Sequence, residues 1–579
     1  MRYSWKHAII HAETLSHGLL KFARYLGPPM QHKTPHLRPG YWAGHWAWLL
    51  CAILAGCGAK QDATFLPERS VAQMGAVSAT TNINFYGGSR FLEQTSFGPT
   101  PASVAAVESL GADAWLDQQV NMPATLFDDE VLKSINPMTD KSAYQWLPDH
   151  FFSTTLTTPG QLRWRVAWSL SQFLVVSQAK VQPYGLTRFF NLLLKGSFGN
   201  YRDLLRDVTL SSTMGFYLDN ASNVRAGACP GCAPNENYAR ELMQLFSLGT
   251  YLLNADGTPK LDTKGQRIAA YDQQSIANMA RALTGWNYAY DPFAPFANWA
   301  RFDLQMVAND YNHDTNSKTL LGTTIAAGGN PGADLEKVLD ILMAHPNIAP
   351  FVSVRLIQHL VTSDPSPAYV GRISAIFNNN GKGVKGDLAA VVKAILLDPE
   401  ARAGDDPGAT NTIGKLREPL LWATAVLRGL GCTSAPIGDN GYSLLYTSQQ
   451  PLNAQTVFGF YPPDHKAPVS LLLAPEQKLL DTSEFSQRMG LGWNMGNNTA
   501  ALQKAGCQFD AMVSALNTSP DLYLNEVSRR YFRGSMSPVL RSAGVNLISQ
   551  FKSNGNSSAM VASSTLIFLL SSPSFGAMH

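Results

Sequence analysis

Apolar residues recur every three or four positions along most of this chain, the spacing that places them on one face of a helix. Near the start of the pattern, Thr100-Pro101 is followed by Val104, Val107 and Leu110. A threonine cap and a proline in the first turn favour a helix start, so this stretch predicts a helix. The pattern repeats so often that helices are expected to form most of the fold.

Polar caps and terminal glycines mark many of the other predicted helices. Asn200 and Asp272 can accept hydrogen bonds from the first backbone N–H groups of a helix, and Gly249 can end one. The stretch after Pro159 is apolar around most of its circumference, which predicts a buried helix. The predicted helices cover residues 159–176, 201–212, 235–248, 272–285, 334–344, 348–361, 369–377, 387–397, 416–430, 520–531, 538–551 and 558–570.

Signals for strands are few. Residues 251–270 contain two turn sequences and predict a small hairpin. Residues 287–333 and 432–500 are expected to be long irregular excursions, and the Gly- and Pro-rich stretch 403–414 a subdomain boundary. The pattern thus predicts a mainly α fold, a large multi-helix globular fold with long ordered loops and a minor β-hairpin. Its helical subdomains are expected at residues 86–402, which hold the main motifs, and 415–579.

The N-terminal segment has the layout of a secretory signal. A short apolar run leads into Leu54-Ala55-Gly56-Cys57, and basic residues lie upstream. The run is shorter than the roughly 20 residues of a membrane-spanning helix. We therefore predict a signal segment over residues 1–56, of which 1–29 is interpreted as an over-extended start.

The small residues before Cys57 are typical of a bacterial lipoprotein, so acyl chains on Cys57 are expected to anchor the protein to the membrane. The alternative is a plain cleaved signal peptide with an incidental cysteine. Residues 57–85 are expected to form an N-terminal linker after the lipid anchor. Gly58, rather than an aspartate, follows the anchor cysteine, which favours the outer membrane of a two-membrane cell envelope.

The charge of the chain belongs largely to this signal segment. Residues 1–56 hold six of the 45 basic residues and one of the 42 acidic ones, so the remaining chain has 39 and 41, a net charge of −2. Composition therefore gives no support for nucleic acid binding. Six of the twelve histidines also lie in residues 1–56, and a histidine-based site must use one of the other six: His150, His313, His345, His359, His465 or His579.

Four cysteines besides Cys57 remain beyond the signal: Cys229, Cys232, Cys432 and Cys507. In an oxidising envelope these are expected to form disulfides. Cys229-Pro-Gly-Cys232 also has the spacing of a zinc half-site or a redox pair. The first alternative lacks a second pair of ligands at suitable spacing, and the second lacks a helix beginning at the motif.

One segment carries a polar face that suits a functional site. Winding residues 234–249 at 100° per residue places Asn237, Arg240, Glu241 and Gln244 together on one side. An amide, a guanidinium and a carboxylate within two turns can orient a polar ligand. They can equally form a structural network that fixes helix packing, and both interpretations stay open.

Other candidate residues flank this segment along the chain. Asp219 precedes it, while Arg281, His313, Asp314 and Lys318 follow it. The candidate acids and bases are Glu241, His313 and Asp314; the candidate ligand-binding groups are Asp219, Asn237, Arg240, Gln244, Arg281 and Lys318. Asp219, Glu241 and His313 would also suit a divalent metal, although no cofactor is evident from the sequence.

Several of these segments, in this order, resemble the bacterial domain-of-unknown-function family 1800. The similar stretches are FYLDN, PNENYARELMQLFSLG, RALTGW, HD with KTLLG, KLREPLLWATAVLRGLG and FLLSSPSF, and together they span about residues 88–575. Two features depart from the family's common form. Gln244 replaces a glutamate, and residues 450–464 differ from a Trp-rich version.

The resemblance implies a largely helical exported protein and no particular activity. Members of the family are often encoded beside a second exported family that resembles alkaline-phosphatase-type hydrolases. The resemblance therefore suggests a protein of that second family as a partner of this chain. The chain contains no Gly-x-Ser-x-Gly, His-Glu-x-x-His, P-loop or Cys-x-x-Cys-His motif. We therefore expect a binding or assembly lipoprotein of the envelope. The alternative is a hydrolase acting on an envelope or extracellular polymer through Glu241 and His313 or Asp314.

Overall fold

Side chains that cap helices set the start of many elements in this fold. Thr100 accepts a hydrogen bond from the Ser103 backbone N–H at 3.1 Å, and Ser103 Oγ accepts from Thr100 N–H at 2.8 Å. Asn200 caps through the Arg202 N–H at 2.9 Å, and Asp272 caps the helix that follows it. All three predicted caps are confirmed, because capping depends on residues two or three positions apart.

The structure is a computed structural model, and it describes residues 83–135, 140–289, 302–409, 413–438, 443–444, 447–468 and 470–579. The first twelve helices in those ranges are α1 Phe85–Thr95, α2 Pro101–Leu110, α3 Ala112–Asn121, α4 Glu130–Ser134, α5 Ser142–Thr157, α6 Gln161–Ser171, α7 Pro183–Gly196, α8 Tyr201–Leu210, α9 Ser212–Tyr217, α10 Asn237–Gln244, α11 Gln273–Ala282 and α12 Pro331–Ala344.

Twelve further helices follow in the described ranges: α13 Ile348–Leu360, α14 Pro367–Asn378, α15 Leu388–Leu397, α16 Pro399–Arg402, α17 Pro419–Gly429, α18 Thr482–Asn497, α19 Thr499–Lys504, α20 Phe509–Thr518, α21 Pro520–Tyr531, α22 Pro538–Ser553, α23 Ser558–Leu570 and α24 Pro573–Gly576. The predicted mainly α class is confirmed. None of these helices combines the length and apolar character needed to cross a bilayer.

Strands are short and pair only in twos within the described residues. They are β1 Trp286–Asn287, β2 Val307–Ala308, β3 Lys318–Leu320, β4 Thr323–Ile325, β5 Lys415–Leu416 and β6 Ala577–Met578. The antiparallel pairs are β1 with β2, β3 with β4, and β5 with β6. The tight hairpin is β3–β4, whereas residues 251–270, where the hairpin was predicted, are joined only by isolated bridges.

The prediction of an irregular segment over 432–500 is wrong at its end, because α18 occupies Thr482–Asn497. This helix contains Gly492 and Gly496, which suggest a loop on sequence alone. Both glycines face α23: a Cβ on Gly496 would lie 2.7 Å from Ser563 Oγ, and one on Gly492 would lie 3.2 Å from Ile567 Cβ. The glycines therefore permit close helix packing that larger residues would prevent.

An aromatic core holds α5, α6 and α7 together. The Phe151 ring centroid lies 5.5 Å from those of Trp168 and Phe190, in edge-to-face geometry that suits aromatic quadrupoles. Residues beyond the predicted boundary at 403–414 pack on this part of the fold. On α17, Arg428 donates to the carbonyl oxygens of Gly98 and Leu156, each at 2.7 Å. The subdomain boundary itself stays a prediction.

Candidate functional site

Helix α10 carries the motif that suggested a site, and its amphipathic pattern is confirmed. Tyr238 and Leu242 are buried in the core, while Asn237 is exposed and Gln244 is half-buried. The helix begins where the Asn235 side chain accepts from the Asn237 N–H at 2.9 Å. It is shorter than predicted, because the hydrogen bonds after Gln244 become irregular before the chain turns at Gly249 with a φ of +75°.

Asp219 lies beside the first turn of α10. Its Oδ2 accepts from Asn237 Nδ2 at 3.2 Å, and its Oδ1 lies 2.5 Å from the ammonium of Lys180. The backbone there is unusual: Asp219 has a φ of +59° and Ser222 a φ of +62°. Such conformations are uncommon for residues other than glycine and often occur at functional sites. The fold therefore holds the Asp219 carboxylate in a strained turn over α10.

Glu241 lies one helical turn beyond Asn237 on the same face of α10. Its side chain is buried, and burial raises the pKa of its carboxyl group. The nearby Arg240 opposes this shift only in part, because its guanidinium pairs with Glu236 at 3.0 Å. Among the described residues, Glu241 Oε2 has no hydrogen-bond partner. A buried, partnerless carboxylate oxygen is costly, and its retention suggests a functional role.

Two tyrosines surround this carboxyl group. Burial, followed by the charge of Glu241, raises the pKa of Tyr271 to about 12, and the same two causes raise the pKa of Tyr217. The Tyr271 hydroxyl is also buried without a partner in the described structure. Sequence reasoning missed Tyr271, which lies 30 residues after Glu241 just before the α11 cap.

Asn220, next to Asp219, is connected to the start of α10. It is buried, and its Nδ2 has no partner among the described residues. A chain of bonds ties it to α10: Asn223 Nδ2 donates to Asn220 Oδ1 at 3.4 Å, and Asn235 N–H donates to Asn223 Oδ1 at 2.8 Å. We call Asp219, Asn220, Asn237, Glu241 and Tyr271 the Glu241 cluster.

His313 lies in a different set of contacts. The ring is fully buried, with Nδ1 at 2.9 Å from the Thr284 carbonyl oxygen and Nε2 at 3.1 Å from Asp334 Oδ2. Lys318 Nζ lies 2.6 Å from the same carboxylate oxygen. Burial pushes the pKa of Asp334 upward, but the hydrogen bonds from His313 and Lys318 outweigh it and hold that pKa below its usual value.

Asp314 and Arg281 belong to these contacts too. The guanidinium of Arg281 donates to both oxygens of Asp314, at 2.9 and 3.1 Å, which is the bidentate geometry of a strong ion pair. Burial opposes ionisation of Asp314, but the bonds from Arg281 and a backbone N–H leave its pKa lowered. Lys318 Nζ also donates to the Asp314 carbonyl oxygen. We call Arg281, His313, Asp314, Lys318 and Asp334 the His313 network.

The two groups are neighbours joined by backbone. Gly285 N–H donates to the Asn223 carbonyl oxygen at 2.8 Å, which links the Asp219 turn to the start of β1. A Cβ on Gly285 would lie 3.0 Å from His313 Cβ, so the His313 network packs on the other side of the same residue. No side-chain contact between Glu241 and His313 is present in the described part of the chain.

The predicted site residues are thus divided. Arg281, His313, Asp314 and Lys318 lie together in the His313 network, and Asp219, Asn237 and Glu241 lie in the Glu241 cluster. Arg240 binds Glu236, and Gln244 lies at the far end of α10. Within the described ranges, no three His, Cys, Asp or Glu side chains are placed to hold a metal ion. Asp219, Glu241 and His313 therefore do not form the metal site considered from the sequence.

The four cysteines that were expected to form disulfides are bonded in two pairs. Cys432 and Cys507 form a disulfide that closes 75 residues of chain, and Cys229 and Cys232 are bonded in the loop before α10, with Cα atoms 5.2 Å apart. Cys57 lies outside the described residues, so lipidation stays a prediction.

Comparison with known proteins agrees with the motifs. Residues 90–577 match the family described as "Protein of unknown function (DUF1800)". Neither curated proteins nor solved structures gave a significant match. The match covers most of the chain and includes both the Glu241 cluster and the His313 network. The chain therefore belongs to the DUF1800 family of proteins of unknown function.

Proposed function

We propose that this chain is an exported, lipid-anchored binding protein of the cell envelope, with the Glu241 cluster as its ligand site. The observation that carries the proposal is that two buried groups, Glu241 Oε2 and the Tyr271 hydroxyl, have no hydrogen-bond partner in the described part of the chain. A bound polar ligand would supply the missing hydrogen bonds. Asp219 is held in a strained turn beside the first turn of α10, and from there it would contact the same ligand.

The His313 network is proposed to support this site and not to react. Both ring nitrogens of His313 already have partners, and Asp314 holds Arg281. A general base must reach the proton that it abstracts, and a fully buried ring with a protein partner at each nitrogen offers a substrate no access. The network would instead fix the backbone around Gly285 that borders the Glu241 cluster.

Export and anchoring are supported by the apolar run that ends at Leu54-Ala55-Gly56-Cys57. The test is metabolic labelling of the full chain with palmitate. We expect label in the wild type and in the matched control Cys51→Ala, and none in Cys57→Ala. Mass spectrometry should find an acylated amino terminus at Cys57, and an unmodified terminus elsewhere would contradict the anchor.

Binding at the Glu241 cluster is tested by isolating the full chain from native envelope membranes in mild detergent. We expect a bound partner with the wild type, for which the exported alkaline-phosphatase-like family is the proposed candidate. Glu241→Gln should lose it, while Glu108→Gln, an exposed carboxylate on α2, should retain it. A wild-type protein that yields no enriched partner, or Glu241→Gln binding as well as Glu108→Gln, would overturn the proposal.

The raised pKa of Glu241 favours a second candidate, a hydrolase acting on an envelope or extracellular polymer. A carboxyl group whose pKa is raised by burial keeps its proton to a higher pH than an exposed glutamate does, and so can act as a general acid. The test is dye release from dyed peptidoglycan and dyed extracellular polysaccharide. Activity should fall as pH rises and be lost in Glu241→Gln; release by that variant at the wild-type rate would exclude Glu241 as the acid.

A further inference from the structure

A small cavity lies between the end of α6, Leu245 at the end of α10, helix α13 and the loop 457–463. It has a volume of about 40 Å³, which exceeds the roughly 10–15 Å³ that a single water needs. Its polar lining groups are Arg355 and Gln172, with His359 and Tyr461 beside them. Four phenylalanines form most of the remaining wall: Phe173, Phe351, Phe458 and Phe460.

Arg355 is the charge of this cavity. Its guanidinium donates to Gln358 Oε1 at 2.9 Å and lies 5.1 Å from the Phe351 ring centre. Burial lowers the pKa of Arg355 to about 10, and Asp464 opposes that shift. No carboxylate of the described residues forms an ion pair with Arg355. Arg355 is half-buried, and a charge partly removed from water is stabilised by an anionic partner.

Gln172 provides a second polar group of the lining. Its Nε2 donates to the Trp168 carbonyl oxygen at 3.2 Å and to Ser171 Oγ at 3.1 Å, which fixes the orientation of the amide. Its Oε1 is then left without a partner among the described residues, although the side chain is only 7% exposed. This oxygen would accept a hydrogen bond from a ligand hydroxyl or N–H group.

The loop 457–463 closes the cavity and supplies its apolar rim. Gly459 has a φ of +82°, and a Cβ there would lie 2.7 Å from the Gln172 carbonyl oxygen, so only glycine allows this approach. On either side of it, Phe460 lines the wall and Phe458 is 45% exposed. A ligand whose charged end fills the cavity would place its body against these rings.

The charge of the lining restricts the ligand. Among the described residues, the lining contains no acidic side chain, which disfavours a zwitterion with an ammonium group. Burial, followed by the charge of Lys415, lowers the pKa of His359 to about 3, so this ring is neutral. Arg355 is then the only cation among the lining residues that the structure describes. One cation suits a single carboxylate, and a partnerless amide oxygen suits a neighbouring hydroxyl donor.

We propose that the cavity binds a uronic acid: its carboxylate pairs with Arg355, a ring hydroxyl donates to Gln172 Oε1, and the sugar ring packs against Phe458 and Phe460. This site is separate from the Glu241 cluster. The proposal rests on the cavity alone and does not require the binding role of Glu241.

The test is calorimetric titration of the purified full chain with D-galacturonate and with its neutral counterpart D-galactose. We expect galacturonate to bind at least about tenfold more tightly, the gain of one charge-assisted hydrogen-bonded pair. Arg355→Gln should abolish this difference. The matched control is Arg267→Gln, which replaces an exposed arginine that packs on Tyr251. This control and Glu241→Gln should both keep the difference in affinity between the two sugars.

Equal affinity for the two sugars in the wild type, or unchanged galacturonate binding by Arg355→Gln, would overturn the proposal. If Arg355→Gln melts far below the wild type, Phe458→Ala provides the second measurement, because this exposed ring can be removed without opening the core. This variant should weaken the binding of galacturonate about three- to tenfold. Unchanged binding would overturn the proposed site. If the protein binds N-acetyl-phenylalanine but does not bind galacturonate, the proposal is overturned and the cavity is assigned to a peptide carboxylate.

Discussion

The ammonium of Lys318 lies 2.6 Å from the carboxylate of Asp334, and neither side chain is more than 2% exposed. Because both charges are removed from water, each depends on the other and on His313 for its stability. The pair connects the β3–β4 hairpin to the first turn of α12 and thereby fixes the loop that carries His313.

Lys318→Met should destabilise the protein by about 3–5 kcal/mol, since it leaves the Asp334 charge buried with His313 alone. Chemical denaturation at pH 7 measures the change. The control is Arg541→Met, which breaks the exposed pair with Asp521 and should cost less than about 1 kcal/mol. Equal losses in the two variants would contradict a buried, mutually dependent pair.

Gly285→Ala should destabilise the fold by about 2 kcal/mol or more, because Gly285 has a φ of +88° and a Cβ there would lie 2.9 Å from the Asn309 carbonyl oxygen and 3.0 Å from His313 Cβ. Gly322→Ala separates the two causes. Gly322 has a φ of +82° with nothing within 4 Å of a Cβ, so only the backbone penalty of about 1 kcal/mol applies. Thermal melts of both variants test this difference.

Glu241→Gln should stabilise the unliganded protein at neutral pH. Burial raises the pKa of Glu241 in the folded state above its value in the unfolded chain. Below the unfolded pKa the carboxyl group is protonated in both states and does not lower the free energy of unfolding. As pH rises through the folded pKa, the buried group ionises and the free energy of unfolding falls. The variant should melt above the wild type at pH 7 and close to it at pH 4. A lower melting temperature at pH 7 would show that the charged carboxylate stabilises the fold.

Replacing Cys432 and Cys507 together by serine should cost about 4 kcal/mol, because the bond closes a loop of 75 residues in the unfolded chain. The Cys229–Cys232 bond closes a loop with a sequence separation of 3, so the matching double serine variant should lose much less. Denaturation of both variants, without reductant, tests the order. A larger loss from the Cys229 and Cys232 pair would contradict it.

Much of the fold was predictable because helix capping is local. Thr100 and Asp272 each bond a backbone N–H three residues ahead, so a short window of sequence contains the whole interaction. Helix α18 was missed for the opposite reason. Its glycines lower intrinsic helix preference, and what favours the helix is contact with α23, about 70 residues later in the chain.

The site was predictable in part. The polar face of α10 follows from helix geometry, but Glu241, which was assigned to that face, is buried. Its environment did not follow, since Tyr271 reaches it from outside the motif. His313 looked like a candidate base because its partners could not be seen: Thr284 lies 29 residues before it and Asp334 lies 21 residues after it.

The sequence by itself determined the helical class, most cap positions, the family and the residue types available for chemistry, since each depends on neighbours along the chain. Only the tertiary structure decided which polar side chains are satisfied and which are not. That distinction depends on burial and on partners distant in sequence. It gives His313 two bonds inside the fold and leaves Glu241 Oε2 without one among the described residues.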